Sequence, residues 1–292
     1  MSPLFATKPY SEAYQLDGTK NLDGHYVYKN PIASPFFISR YEVFKRDLIE
    51  LVQNNQSATF YRFGDGDFHF LRAEKIGSAS PGRRALSREL SKKELEVFQS
   101  RAQLADQYLC ELYPHMRVKF RKVIKNHKRI TPCEFAYAAV ASKWLFKEFG
   151  NEIGLIGSGP KLKLIRKLMN YEEYQKYLGV ESFLDYVEIP QKFACDDLEL
   201  RLIELKTQLE KSQARIFLLG VGHLKSGILS ELPKIHRAVY LDVGTGIDAI
   251  AGVIDPSRPF FGNWINYFIP NDDLYGEIDF LNYNFENRKA LI

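Results

Sequence analysis

The residues best suited to chemistry form one short block, Arg62-Phe63-Gly64-Asp65-Gly66-Asp67-Phe68. Asp65 and Asp67 follow a β-rich segment, and in an extended or turn conformation both carboxylates reach one hard cation. Mg²⁺ and Mn²⁺ prefer such oxygen ligands and keep positions open for substrate phosphates. Arg62 is suited to neutralising a phosphate. An ordinary Asp-Gly turn beside a surface ion pair of Arg62 is the alternative interpretation.

Three further glycine-rich turns follow predicted strands, and backbone at such turns can approach a phosphate closely. Lys161 and Lys225 follow two of these turns, at helix starts where a cation is favoured only beside an anion. Open α/β sheets bind ligands beyond the carboxyl ends of their strands, so the turns predict one anion-binding crevice. The predicted phosphate-binding residues are Arg62, Gly64, Gly157, Ser158, Gly159, Lys161, Gly220, Gly222 and Lys225.

Three residues near these turns are candidates for a general base: Asp242, His223 and Asp248. Asp242 ends a predicted central strand, which makes its position the best of the three. His223 lies on the neighbouring glycine turn and has a second possible role as a phosphate ligand. Capping of the following turn is the structural alternative for Asp242.

The elements that position these turns alternate between strands and helices. This alternation is typical of a parallel, doubly wound sheet. Strands are predicted over 58–63, 152–156, 186–189, 215–219 and 238–241. Helices are predicted over about 39–53, 87–127, 131–149, 160–169, 196–211 and 223–231. We expect a Rossmann-like α/β fold, with a mostly parallel sheet and helices on both faces. A single domain over 39–260 is predicted, with an irregular N-terminal arm (1–38) and a C-terminal wrap (261–292) of the same domain.

Composition narrows the class of protein. The 292 residues include 45% hydrophobic and 26% charged residues, which are ordinary globular values. A net charge of +4 is too small to indicate nucleic-acid binding, although it suits an anionic small ligand. The three cysteines form no C-x-x-C pair and are expected to be reduced and buried. No signal peptide or membrane-spanning stretch is predicted, so we expect a cytoplasmic protein.

The aspartate block, continued by Leu71-Arg72-Ala73-Glu74-Lys75-Ile76-Gly77, resembles the opening block of the GT-D glycosyltransferases. These bacterial sugar transferases were formerly grouped as a domain of unknown function. Their block reads R-F-G-D-G-E, with a D-x-E metal motif on a Rossmann-like fold, and Asp67 stands where that Glu is usual. The segments Gly220–Lys225 and Leu241–Gly244 resemble the second glycine turn and the D-I-G-H segment of the family. Thr245 stands in place of that His. The resemblance covers about residues 40–255.

The resemblance implies a hexosyltransferase-like enzyme that uses a nucleotide-diphosphate sugar such as a UDP-sugar. It also implies a divalent metal, Mn²⁺ or Mg²⁺, on Asp65 and Asp67, and a glycan or glycoconjugate as acceptor. Two other functions stay open. Leu241–Gly246 resembles the first glycine motif of SAM-dependent methyltransferases, and a non-enzymatic nucleotide-binding domain would use the same crevice. A basic stripe at Arg117, Arg121, Lys125 and Lys128 is interpreted as a solvated helix face, with peripheral membrane contact as the alternative.

Overall fold

Most of the chain is described by the structure, a computed structural model. The described residues are 16–20, 26–28, 35–73, 85–111, 114–125, 130–253, 267–269, 272–275 and 289–290. The strands are β1 (Leu16–Lys20), β2 (Tyr26–Tyr28), β3 (Ala58–Phe63), β4 (Gln107–Cys110), β5 (Ile130–Pro132), β6 (Ile153–Ser158), β7 (Asp185–Ile189), β8 (Ile216–Gly220), β9 (Val239–Asp242), β10 (Tyr267–Phe268) and β11 (Lys289–Ala290).

The helices that connect and flank these strands are mostly short. They are α1 (Pro35–Gln53), α2 (Asp65–Leu71), α3 (Lys92–Ala102), α4 (Pro114–Val123), α5 (Glu134–Ala141), α6 (Trp144–Phe149), α7 (Gly159–Leu168), α8 (Glu172–Leu178), α9 (Leu198–Leu209), α10 (Lys225–Ile228), α11 (Leu232–Ile235), α12 (Gly246–Ile250) and α13 (Asp272–Tyr275). Among the described residues no helix has the length and apolarity needed to cross a bilayer.

Seven strands form one sheet in the order β5-β4-β3-β9-β8-β6-β7, and every pairing in it is parallel. Its central strands are buried on both faces, which is why they are nearly continuous apolar runs rather than alternating ones. Strand β6, with the sequence IGLIGS, is buried at all six positions. The predicted α/β fold with a parallel sheet and helices on both faces is therefore confirmed.

Helices cover both faces of the sheet and bury two apolar clusters. Leu162 of α7 and Ile247 of α12 belong to the cluster on one face. Phe70 of α2 and Ile228 of α10 belong to the cluster on the other face. Strand β9 lies between β3 and β8. The chain leaves β9 toward the face covered by α12, whereas it leaves β3 and β8 toward the opposite face, which is covered by α2 and α10. This reversal opens a crevice beyond the carboxyl end of β9, the usual place for a ligand in such sheets.

The sequence prediction missed two strands of the seven-stranded sheet, β4 and β5. The helix predicted over 87–127 is interrupted, because α3 ends at Ala102 and β4 follows it before α4 begins. The helix predicted from residue 131 begins only at Glu134, since Ile130–Pro132 forms strand β5. Pro132 is tolerated there because β5 is an edge strand, where a missing N–H does not interrupt a ladder.

The two ends of the chain are more regular than predicted. The arm predicted to be irregular over 1–38 contains the antiparallel pair β1 and β2 and the start of α1 at Pro35. In the C-terminal segment, β10 pairs in parallel with β11. Ile269 and Tyr275 are buried in the same apolar cluster as α7 and α12, as expected for a segment that wraps the domain. The domain boundaries themselves stay a prediction.

Candidate functional site

The four predicted turns lie at the carboxyl ends of β3, β6, β8 and β9. Because all seven strands run in parallel, the turns share one edge of the sheet, as the sequence predicts. The turn after β3 is different from the predicted loop, since Asp65 is already the first residue of helix α2. Gly64 is the extended residue before that helix. Its backbone N–H donates to Oδ2 of Asp67 over 2.8 Å, and this bond turns Asp67 inward.

Lys225 stands at the centre of a buried charge cluster beneath the crevice. Its Nζ lies 3.0 Å from Oδ2 of Asp67 and 2.9 Å from Oδ2 of Asp242. It also donates to the carbonyl oxygen of Arg62 over 2.5 Å, and its side chain is only 2% exposed. Lys225 was predicted to bind donor phosphate, but in this position its ammonium is shielded from solvent and joins the ends of β3 and β9.

The cluster keeps Asp67 ionised. Burial by itself raises the pKa of this carboxyl, but Lys225, His223 and Arg62 lower it by more, so that it lies well below its usual range. Asp67 therefore holds a full negative charge inside the protein at neutral pH. That charge is available to orient neighbouring donors.

Asp242 is also part of this cluster, and its surroundings disfavour the predicted role as the base. Its side chain is 2% exposed. Oδ2 accepts from the backbone N–H of Arg62 over 3.2 Å, and Oδ1 accepts from the backbone N–H of Gly244 over 3.0 Å. With Lys225 added, both oxygens are engaged by protein donors. The geometry assigns Asp242 to fixing the loops around the crevice.

The guanidinium of Arg62 lies above the cluster, at the mouth between β3 and β9. Its Cζ is 5.6 Å from the ring centroid of Tyr137, within the range of a cation–π interaction. Nε has no hydrogen-bond partner, and the guanidinium makes no hydrogen bond or ion pair with any described residue. Arg62 is partly exposed. A guanidinium whose donors have no acceptor within the described part of the chain is suited to an anion.

Gly244 allows this placement of Arg62. A Cβ on Gly244 would lie 2.6 Å from Nε of Arg62, so any side chain would displace the guanidinium. The φ angle of Gly244 is +51°, in the left-handed region that favours glycine. The glycine in this turn is thus required twice, for its backbone conformation and for the close approach of Arg62.

The carboxylates predicted to hold a metal point in different directions. Asp65 is 59% exposed, pairs with Lys119 and lies 3.6 Å from Nε2 of His69. Asp67 is buried and faces Lys225. Residues two positions apart on a helix do not share a face. Within the described residues no group of three His, Cys, Asp or Glu side chains is arranged to hold a metal. A divalent ion shared by this pair does not fit the arrangement.

The turn after β6 forms a second polar region on the face occupied by α7 and α12. Ser158 is the residue before α7, is 8% exposed, and its Oγ has no hydrogen-bond partner among the described residues. Lys161, in the first turn of α7, forms an ion pair with Asp248 of α12. Asp248 was a candidate base, but the structure pairs it with Lys161 instead.

Two of the remaining predicted glycines, Gly220 and Gly159, lie where a neighbouring side chain leaves no room for a Cβ. A Cβ on Gly220 would lie 2.6 Å from Cγ1 of Ile247, and one on Gly159 would lie 2.8 Å from Oε2 of Glu188. Gly157 has only ordinary contacts, and Gly222 has open space with a φ of +57°. These glycines admit neighbouring side chains or a turn.

The chain is similar in fold to two solved structures of one domain. The first is described as a new glycosyltransferase (DUF1792) from Streptococcus sanguinis. It is 13% identical, has a TM-score of 0.45, and the match covers 70% of this chain and 81% of that one. The second is a selenomethionine-substituted structure of domain of unknown function 1792. It is 14% identical, has a TM-score of 0.44, and the match covers 70% of this chain and 78% of that one.

No protein-family model and no curated protein sequence matches the chain. At 13–14% identity, the likeness to the two solved structures extends to the fold alone.

Two aromatic residues of the site were not predicted. Tyr137 supports the Arg62 guanidinium from α5, whose sequence EFAYAAVA is almost wholly buried. Phe70 lies under the ring of His223. Phe70 is one helical turn beyond Asp67, so a prediction of α2 as a helix would have put Phe70 next to Asp67 in the site. No sequence signal links Tyr137 to Arg62, since their contact depends on how α5 packs on the sheet.

The predicted basic stripe is only partly described. Arg117 and Arg121 are on α4, and Arg121 and Lys125 are exposed. Lys128 lies outside the described residues. Contact of this stripe with a membrane stays a prediction.

Proposed function

We propose that this protein is a glycosyltransferase of the hexosyltransferase type. It transfers a sugar from a nucleotide-diphosphate sugar, with UDP as the nucleotide, to a hydroxyl of a glycan or glycoconjugate. The observation that carries the proposal is the Arg62 guanidinium, held at the mouth between β3 and β9 without an acceptor among the described residues. A guanidinium presents paired donors that match a phosphate geometrically, and its charge stabilises a departing diphosphate.

The turn after β6 supports a long, extended donor. Strands β3 and β6 are separated by β9 and β8, so three strand spacings put Ser158 about 14 Å from the strand that carries Arg62. Arg62 packs on Tyr137, and Tyr137 belongs to the same apolar cluster as α7 and α12. Both polar regions therefore lie toward one face. We infer that Arg62 binds the diphosphate and that the Ser158 region binds another part of the same donor.

The alternative functions are less well supported by the site. In the methyltransferase interpretation, the glycine turn after β9 would be free to receive the cofactor. Here Gly244 is packed against Arg62, and Asp242 is buried by Lys225. A non-enzymatic nucleotide-binding domain would have no need of the His223–Asp67 pair described below. Cytoplasmic location, like the glycan acceptor, is part of the proposal.

The proposed donor class is tested by ligand binding to the wild type and to Gly244→Ala. We expect UDP, and not S-adenosylmethionine, to bind and to raise the melting temperature. Gly244→Ala should weaken UDP binding at least about tenfold, because loss of one charged hydrogen bond costs about 1.5–3 kcal/mol. Calorimetry measures both affinities.

Gly179→Ala is the matched control for backbone strain. Gly179 also has a positive φ, +80°, but a Cβ there would meet only Lys147 at an ordinary distance of 3.6 Å. Both variants should lose stability, and only Gly244→Ala should lose affinity for UDP. Tighter binding of S-adenosylmethionine than of UDP would refute the proposal.

Dependence on a divalent ion stays a prediction from the sequence resemblance, and Asp65→Asn tests the predicted ligand pair. Because Asp65 is exposed and does not converge with Asp67, we expect the affinity for UDP to change by less than about twofold, in Mn²⁺ and in EDTA alike. Titration calorimetry under both conditions makes the measurement. A loss of affinity seen only with Mn²⁺ would restore Asp65 as a metal ligand.

A further inference from the structure

His223 pairs with Asp67 at the edge of the buried charge cluster. Nδ1 of His223 lies 3.3 Å from Oδ1 of Asp67. The carboxylate of Asp67 accepts a hydrogen bond from the Nδ1–H of His223, and in this tautomer the lone pair of the imidazole is on Nε2. No described residue makes a hydrogen bond to Nε2, and the side chain is 20% exposed. The ring therefore presents an unoccupied basic nitrogen that solvent or substrate can reach.

The ring of His223 is fixed in place by its neighbours. It stacks on Phe70, with ring centroids 4.9 Å apart and an angle of 6° between the planes. It also approaches Gly66, where a Cβ would lie 2.8 Å from Cε1. A side chain at position 66 would push the ring away. Stacking, the carboxylate and the glycine together hold one orientation of the imidazole.

Asp67, the carboxylate of this pair, lies next to Arg62, the proposed diphosphate ligand. A Cβ built on Gly64 would lie 3.3 Å from Nη1 of Arg62 and 3.7 Å from Oδ2 of Asp67. Both groups thus lie within 4 Å of one point above the carboxyl end of β3. Asp67 therefore neighbours both the imidazole and the anion-binding guanidinium, which brings a base and a diphosphate ligand to the same strand ends.

We propose that Nε2 of His223 is the general base of the transfer, with Asp67 as its positioning residue. This inference rests on the proposed glycosyltransferase function. The acceptor oxygen forms a bond to the anomeric carbon, the bond from that carbon to the diphosphate oxygen breaks, and its electron pair leaves with the diphosphate. The acceptor proton moves to Nε2, and the resulting imidazolium is stabilised by the carboxylate of Asp67. Attack from the side opposite to the diphosphate inverts the anomeric centre.

The other candidate bases are engaged elsewhere. Both carboxylate oxygens of Asp242 are taken by backbone donors and Lys225. Asp248 is paired with Lys161 on α12 and α7. Of the three candidates, only His223 combines an orienting carboxylate with an exposed, unpaired nitrogen.

The test uses His223→Ala and a UDP-hexose that the wild-type chain cleaves, with water as the acceptor. We expect the rate of UDP release at saturating donor to fall about 10²-fold or more, the usual effect of losing a general base. The dissociation constant for UDP should stay within about twofold, since the base contacts the acceptor side. Added imidazole should restore part of the rate, which a purely structural role would not allow.

His69→Ala is the matched control, because His69 faces Asp65 from the exposed side of the same helix α2. It should leave the rate of UDP release unchanged. Asp67→Asn should lower this rate in the wild type and have little further effect in the His223→Ala background, as expected for residues that act as one unit. A urea unfolding curve shows whether the Asp67 variants are folded.

Two results would overturn the assignment of the base. In one, His223→Ala keeps a rate within about threefold of the wild type, below the range of general-base loss. In the other, UDP affinity falls in step with the rate, which makes His223 a donor ligand. Failure of the proposed function would be seen in the wild type, which would neither bind UDP nor release UDP from any UDP-sugar. The assignment of His223 as the base would then fall as well.

Discussion

Replacing Lys225 with methionine is expected to lower the free energy of unfolding by about 3–5 kcal/mol, because it leaves buried carboxylates without their cation. The ammonium is within 3.0 Å of both Asp67 and Asp242 and is 2% exposed. Methionine fills a similar volume, so the loss reports the charge rather than a cavity. Urea unfolding followed by circular dichroism measures the change.

Lys176→Met is the control for this measurement. Lys176 forms an exposed pair with Glu172 one turn away on α8, and such pairs contribute less than about 1 kcal/mol. If Lys225→Met lowered the free energy of unfolding by less than about 1 kcal/mol, the effect would be that of an exposed ion pair. Solvent or other groups would then neutralise the two carboxylates.

The effect of Lys225→Met should also depend on pH. The pKa of Asp67 in the folded protein lies below its unfolded value, so ionised Asp67 stabilises the fold above about pH 4, and this contribution is lost as the pH falls further. Without the ammonium, less opposes the effect of burial, so the pKa of Asp67 is higher in the variant than in the wild type, and protonation relieves the unpaired charge. The difference between variant and wild type should therefore be largest at neutral pH and shrink toward pH 4.

The positions of the crevice turns were predictable from local patterns. Gly64, Ser158, Gly220 and Asp242 each follow or end an apolar run of strand length, and parallel pairing puts the ends of such runs on one edge. Strand β4 was missed because its four residues, QYLC, are short and follow a longer helical pattern. Short apolar runs do not distinguish a strand from a helix by period alone.

The directions of the charged side chains were not predictable in the same way. Lys225 follows a glycine turn at a helix start, a position that suggests a phosphate ligand. A 3₁₀ turn over Gly222–Leu224 precedes α10, and Lys225 is buried rather than exposed. Its two carboxylate partners come from distant parts of the chain, Asp67 in α2 and Asp242 in β9. Only the strand order of the folded sheet brings them together.

The carboxylates of the two predicted metal ligands, Asp65 and Asp67, lie apart for a local reason. In a turn, Asp65 and Asp67 would converge on one ion. The bond from the backbone N–H of Gly64 to Asp67 instead starts a helix at Asp65 and directs the two carboxylates apart. The same four letters, Gly-Asp-Gly-Asp, are compatible with both conformations, and the packing of Phe68 and Phe70 in the core favours the helix.

Arg62→Ala is expected to weaken UDP binding about 10²-fold, because two charged hydrogen bonds to the diphosphate are lost. Stability should change by no more than about 1 kcal/mol, since the guanidinium makes a cation–π contact with Tyr137 and only longer-range charge interactions with Asp67 and Asp242. Titration calorimetry with UDP measures the affinity. Uridine, which has no phosphates, should bind both proteins equally and shows whether the loss is specific to the diphosphate.

Arg166→Ala is the matched control for Arg62→Ala. Arg166 also lies over a tyrosine ring, with its Cζ 4.5 Å from the centroid of Tyr186, but it is in the last turn of α7, away from the strand ends. It should leave UDP affinity unchanged. If both variants weakened UDP equally, or if Arg62→Ala weakened uridine as much as UDP, Arg62 would not be the diphosphate ligand. A loss confined to Arg62 and UDP is the result that the open guanidinium predicts.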